Sequence, residues 1–144
     1  MYRGYQAKQC RICHEELNQK QDLFHLVNES AICIKCIKKF QIIDEDVKIK
    51  GYSVKILYEY NDFFRQLLYQ YKALGDYALK DCFIEQFQEL KRLYKNYIIV
   101  VIPSSQKDNE RRGFCPNVEI AKIFSQHVFT GLYKKVEYKA IEVK

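Results

Sequence analysis

Between residues 52 and 60 the stretch "YSVKILYEY" sets Tyr52, Val54, Ile56 and Tyr58 at every second position, the period of a half-buried strand. The period then changes. Phe63, Phe64, Leu67, Leu68 and Tyr71 recur at the three- and four-residue spacings that gather side chains on one helix face, and Asn61 or Asp62 is placed to cap that helix. Gly75 ends or kinks it, and Asp76 can start a second helix through "YALKDCFIEQFQELKRLYK". "YIIVVIP" (97–103) is continuously apolar and rich in β-branched residues, the composition of a strand covered on both faces, as in a parallel sheet. A polar loop, "SSQKDNERRG", is expected next, followed by a helix over "PNVEIAKIFSQHV" with Pro116 as its first residue. The tail "KVEYKAIEVK" roughly alternates and predicts a last strand. The resulting order, βααβαβ, predicts an α/β body.

The front of the chain has a different texture. Residues 1–43 read as short strands and knuckles, with two cysteine pairs flanking the apolar "LFHLVN" (23–28) and a short helical turn in "IKCIKKF". The acidic triplet Asp44, Glu45, Asp46 breaks the apolar pattern. A boundary is expected there, dividing a module over 1–45 from a second unit over 46–144.

Composition narrows the classes. A chain of 144 residues holds a small module plus a modest domain, and its 48% apolar content supports a core. No run approaches the roughly 18 apolar residues of a membrane span. "MYRGYQAKQC" has no apolar stretch after its basic residue, so no secretory signal and no membrane insertion are expected, and the expected location is the cytoplasm. In that reducing compartment paired cysteines point to metal or redox chemistry more than to disulfides. The net charge of +6 and pI near 8.9 suit a polyanionic partner, although scattered lysines are most often simply solvated.

Cys10, Cys13, Cys33 and Cys36 form C-x2-C-x19-C-x2-C, within the spacing window of a structural zinc site. Two residues between ligands let a tight turn aim both sulfurs at one centre, and two such knuckles complete a thiolate tetrahedron with no open position for catalysis. A module of about 40 residues buries too little surface to fold unaided, which gives the metal a structural task. The alternatives are two redox motifs or coincidence. With four thiols present, His14 and His25 are not required as ligands; Cys82 reads as a small buried hydrophobe and Cys115 as a loop thiol with no base beside it.

Behind the apolar strand, Lys107, Arg111 and Arg112 precede a helix start, an arrangement able to hold a phosphate group or to be no more than a solvated basic loop. The double C-x-x-C, "YKALGDYAL" (71–79), "VVIPSS" and "ERRGFCPNVEIAKIF" (110–124) together resemble the ComF family over essentially the whole chain. Arg111, Arg112, Gly113 and Phe114 match that family's "RRGFNQ", with Cys115 and Pro116 in place of its Asn-Gln; Lys72, Gly75 and Asp76 match its "K-x-x-G-D".

The resemblance implies a small zinc-finger module followed by an α/β phosphoribosyltransferase-like domain, and a part in DNA uptake during natural transformation. The acidic pair and Thr/Gly-rich loop that bind ribose phosphate in such enzymes are missing here. The second domain is therefore expected to be partial, without catalytic residues, and to leave strand edges and apolar surface unpaired. The expected function is a zinc-stabilised accessory that binds single-stranded DNA, a competence helicase or other uptake proteins. Lys72, Lys107, Arg111 and Arg112 are the expected phosphate contacts, and some of the twelve tyrosines are possible base-stacking groups. A phosphoribosyltransferase-type enzyme and a protein-docking module are the competing expectations.

Overall fold

The computed structural model describes residues 9–17 and 30–135. In chain order these form α1 (Ile34–Ile37), β1 (Ile42–Ile49), β2 (Tyr52–Tyr58), α2 (Asp62–Lys72), a 3-10 helix (Tyr77–Ile84), α3 (Gln88–Tyr94), β3 (Ile99–Val100), α4 (Gln106–Arg112), α5 (Pro116–Phe124) and β4 (Val128–Phe129).

The alternating segment is β2, as its period predicts, but its partner was hidden. The acidic triplet lies inside β1, which pairs antiparallel with β2 in a register that sets Val47 opposite Val54 and Asp46 opposite Lys55. Two of the three charges that interrupt the apolar pattern are matched across the hairpin: Lys55 Nζ lies 2.7 Å from Asp44 and 3.2 Å from Asp46. Lys50 and Gly51 turn the chain, with φ of 51° and 87°, the two positive values that a tight two-residue hairpin turn requires.

α2 begins where its cap was expected. The Asn61 side chain accepts a hydrogen bond from Phe64 N at 2.8 Å, satisfying one of the free amides of the first turn. Leu67 and Tyr71 are buried, while Phe63, Phe64 and Leu68 pack against the same cluster. Gly75, at φ 76°, follows in the left-handed region.

The single helix expected over 77–95 is two pieces: the 3-10 helix and α3, separated by a turn at Glu85–Gln86. Tight winding turns residues three apart to the same side, as with the buried Leu79 and Cys82; Phe83 and Ile84 are buried beside them.

Residues 97–103 yield only the two-residue β3, paired in parallel with β4. Its two-sided cover is missing, since Ile98 and Ile102 are 74% and 81% exposed. The helix expected over 116–128 stops at Phe124. Ser125 takes an extended conformation, and its buried hydroxyl hydrogen-bonds to the carbonyls of Lys95 (3.2 Å) and Tyr97 (2.7 Å), which frees Val128 for β4. The last strand expected over 135–144 falls, beyond its first residue, outside the described residues; so do "LFHLVN" and His25.

One buried cluster contains Cys10, Ile32, Cys36 and Phe40 together with Leu67, Tyr71, Leu79, Cys82, Phe83 and Ile84, so residues from both sides of position 45 share it. Edge-on and tilted aromatic contacts run through it, with Phe40–Phe63 at 5.1 Å and Tyr71–Phe83 at 5.3 Å between ring centres. Tyr71 is fully buried and its hydroxyl donates to Pro116 O at 2.9 Å, tying α2 to α5. Burial raises its pKa, so it stays a neutral donor. Among the described residues no helix is long and apolar enough to cross a membrane. Urea unfolding should show that Tyr71→Phe costs about 1 kcal/mol by removing that hydrogen bond. Tyr71→Ala should cost about 3–5 kcal/mol through the cavity.

Candidate metal centre and basic surface

The first knuckle is a tight reversal. Cys10 N donates to Glu15 O and His14 N to Cys10 O, both at 2.9 Å, and an antiparallel bridge between Gln9 and Glu16 closes its base. His14 takes a positive φ of 60° to complete the turn. The second knuckle is the start of α1, where Cys33 is the cap residue and its carbonyl accepts from the amides of Cys36 and Ile37, each at 3.0 Å. Arg11 N donates to Ala31 O at 3.0 Å and joins the two knuckles.

This backbone brings the sulfurs of Cys10, Cys13, Cys33 and Cys36 within 4.8 Å of one another. The Cys13 and Cys33 sulfurs are 3.6 Å apart, too far for a disulfide, and all four cysteines are free. A tetrahedron built on metal–sulfur bonds of about 2.3 Å has edges of about 3.8 Å, so the cluster has the right size to hold one metal ion. His14 is not one of the clustered ligands.

The electrostatics fit a cation. Burial pushes the Cys10 thiol up, but the backbone amides of Cys13, Cys33 and Ile12 more than offset this and bring it to about 7. One of those contacts is Cys33 N to Cys10 Sγ at 3.3 Å. Cys36 is driven strongly upward by burial and then by its thiol neighbours, and Cys13 also rises. The protein alone thus favours the thiolate at Cys10 and disfavours it at Cys13 and Cys36, and a divalent ion would offset that penalty. Four sulfur ligands leave no open coordination position, so the centre can staple the chain but cannot activate water.

The knuckle is anchored through Arg11, which pairs with Asp81 and donates to Ala78 O at 3.2 Å on the 3-10 helix. Sequence reasoning missed this contact because its partners are 70 residues apart. Cys82 is buried and its thiol is pushed to about 12 by desolvation, the behaviour of an inert core residue. Cys115 is half-buried, 3.4 Å from Ser104 Oγ.

The polar segment carrying the basic residues, expected as a loop, is a helix, α4. The Ser105 side chain accepts from Asp108 N, Gln106 bonds Glu110 one turn on at 3.0 Å, and Gly113 at φ 80° ends the helix by donating to Asn109 O. Cap, charge pairs and terminal glycine were all present in the sequence. The helix separates its two arginines. Arg111 is 63% exposed, whereas Arg112 is 8% exposed and its Nε donates to Asp108 O at 2.8 Å. Lys107 faces solvent. Lys72, at the end of α2, lies near Arg112; desolvation and then the Arg112 charge lower its pKa. The structure therefore brings Lys72 near Arg112, and Lys72, Lys107 and Arg111 are all exposed.

At the carboxyl ends of β3 and β4 lies a cavity of about 530 Å³, bordered by Ser104, Asn109, Cys115, Glu119 and Lys122. Asn109 Oδ1 is buried there without a hydrogen-bond partner among the described residues. In comparisons with known proteins, no family model, no curated protein and no solved structure matches this chain.

Elemental analysis of the purified, reduced protein should find one metal ion per chain. Substituting any one of Cys10, Cys13, Cys33 or Cys36 by Ser should abolish tight binding, and Cys82→Ser should preserve the stoichiometry. Because protons compete for the thiolates, chelator competition should show weaker binding at about pH 6 than at about pH 8.

Proposed function

We propose that this chain is a zinc-stapled accessory protein of DNA uptake in natural transformation, akin to the ComF family. In this reading it works in the cytoplasm, binding single-stranded DNA, a partner helicase of the uptake machinery, or both. The observation that carries the reading is the four-sulfur cage at the front of the chain, in the order and spacing that also underlie the family resemblance. Zinc is the metal of choice for four thiolates in a reducing compartment, because it is borderline-soft, tetrahedral and redox-inert. The parallel pair β3–β4, joined through α4 and α5, supports a phosphoribosyltransferase-like origin for the body, since parallel strands with helical crossovers are the building unit of such domains. The charge of +6 and the outward Lys107 and Arg111 suit a phosphate-rich partner.

A phosphoribosyltransferase-type activity is the second reading. The cavity at the carboxyl ends of two parallel strands favours it, that being where open α/β sheets take ligands. A clear rise in melting temperature with phosphoribosyl pyrophosphate would favour this enzyme reading, and an unchanged melting curve the accessory one.

Arg111→Glu is the cleaner test of the basic residues, since reversing Arg112 would also remove a buried helix-end hydrogen bond. In a salt titration it should weaken single-stranded DNA binding several-fold and reduce the salt slope by about 0.7 for each phosphate that Arg111 neutralises. An unchanged titration would remove α4 from the interface.

A further inference from the structure

A second basic surface, which no local sequence pattern signals, lies where α3 and α5 end. A cavity of about 450 Å³ there is lined by Lys91, Lys95, Lys122 and His127, with no carboxylate among the residues that border it. Among the described residues neither Lys91 nor Lys95 has an ion-pair partner, while Lys122 pairs with Glu119 at 2.7 Å. Lys91 also borders a neighbouring groove that holds Asp81, Glu85 and Glu89.

Lysines near helix C-termini often serve only to offset the carbonyl ends of the helix. Here the carbonyls of Lys95 and Tyr97 already have a partner in the Ser125 hydroxyl, which in turn accepts from His127 N at 3.0 Å. Ile99 N donates to His127 O at 2.8 Å. These bonds fix residues 95–99 against 125–127 without using any of the lysine ammonium groups.

Phe124 borders both this cavity and an adjoining apolar groove of about 340 Å³ that includes Leu57, Tyr94 and Tyr97. Tyr97 is 57% exposed, and its ring meets that of Tyr94 nearly at right angles, 5.4 Å between centres. Lys122 also borders the cavity at the ends of β3 and β4, where its partner Glu119 sits too, and so links the two cavities. Cations that follow a backbone beside exposed aromatic rings are the combination by which single-stranded nucleic acid is held without sequence preference.

We infer that the junction of α3 and α5 is the single-strand contact surface, with Lys91, Lys95 and Lys122 on successive phosphates of single-stranded DNA and Tyr97 stacking on a base. The inference rests on the single-stranded DNA reading above and names the site for it. A duplex offers the same phosphates but no free base faces, so it should compete poorly.

The test is fluorescence anisotropy of labelled oligo(dT), about 12 nucleotides long to suit a single groove, with the full metal-loaded chain across a salt series. Lys91→Gln with Lys95→Gln should weaken binding about tenfold and lower the salt slope by about 1.4, two phosphates at about 0.7 each. Tyr97→Ala should weaken it about 5- to 100-fold with the slope unchanged, and Tyr97→Phe should bind as wild type. A control of equal charge change at the hairpin, Lys48→Gln with Lys50→Gln, should cost less than about twofold. In wild-type protein, oligo(dT) should also protect Lys91 and Lys95 from acetylation, a readout independent of how the variants fold. Equal losses in both double variants, an unaffected Tyr97→Ala, unprotected lysines or equal competition by duplex would overturn this site while single-strand binding stands. A wild-type chain that binds no oligo(dT) at low salt would overturn the binding reading itself.

Discussion

Four sulfur atoms gathered within 4.8 Å set the constraint on which the rest of the structure depends. They come from two short segments, neither with enough apolar surface to hold its shape, and the innermost pair, Cys10 and Cys36, is buried in the same cluster as Leu67, Tyr71, Leu79 and Phe83. In the protein alone, backbone amides lower the Cys10 thiol, while burial and neighbouring thiols raise Cys36 and burial raises Cys13. With a cation, four thiolate ligands would cross-link the knuckles and complete the wall of the core. Metal binding and core formation would then be one event, as in other small metal-stapled modules.

From that wall the order passes outward through specific contacts. Arg11 pins the first knuckle to the 3-10 helix, whose Cys82 and Phe83 pack into the cluster. Tyr71 carries the connection to α5 through Pro116, and the far end of α5 is held by Ser125 against the segment after α3. The basic cavity at that far end is thus built on residues fixed by hydrogen bonds rather than on a loose loop. This gives the four-sulfur front and the proposed strand-binding surface a shared physical basis in one chain of packing.

What could be read from the sequence was whatever nearby residues decide. The cysteine spacing pointed to the sulfur cluster, the two-residue period to β2, and the one-sided apolar face with Asn61 at its head to α2. β1 was obscured because Asp44, Glu45 and Asp46 look like a linker until Lys55 is seen beside them on the next strand. α4 looks like a loop in sequence because its polarity outweighs the capping signals at Ser105 and Gly113. The 3-10 helix departs from the expected 3.6-residue period to suit its buried face. The Arg11–Asp81 pair and the basic cavity each join segments far apart in the chain, which no local pattern reveals.

The direct test is amide hydrogen exchange on the full reduced chain, metal-loaded and after extraction by a chelator. If the sulfur cage organises the core, extraction will abolish protection in both knuckles and lower it markedly in the 3-10 helix at Leu79–Ile84, and returning zinc will restore it. Identical protection in the two forms would show that the core stands without its metal and would contradict the account at its root.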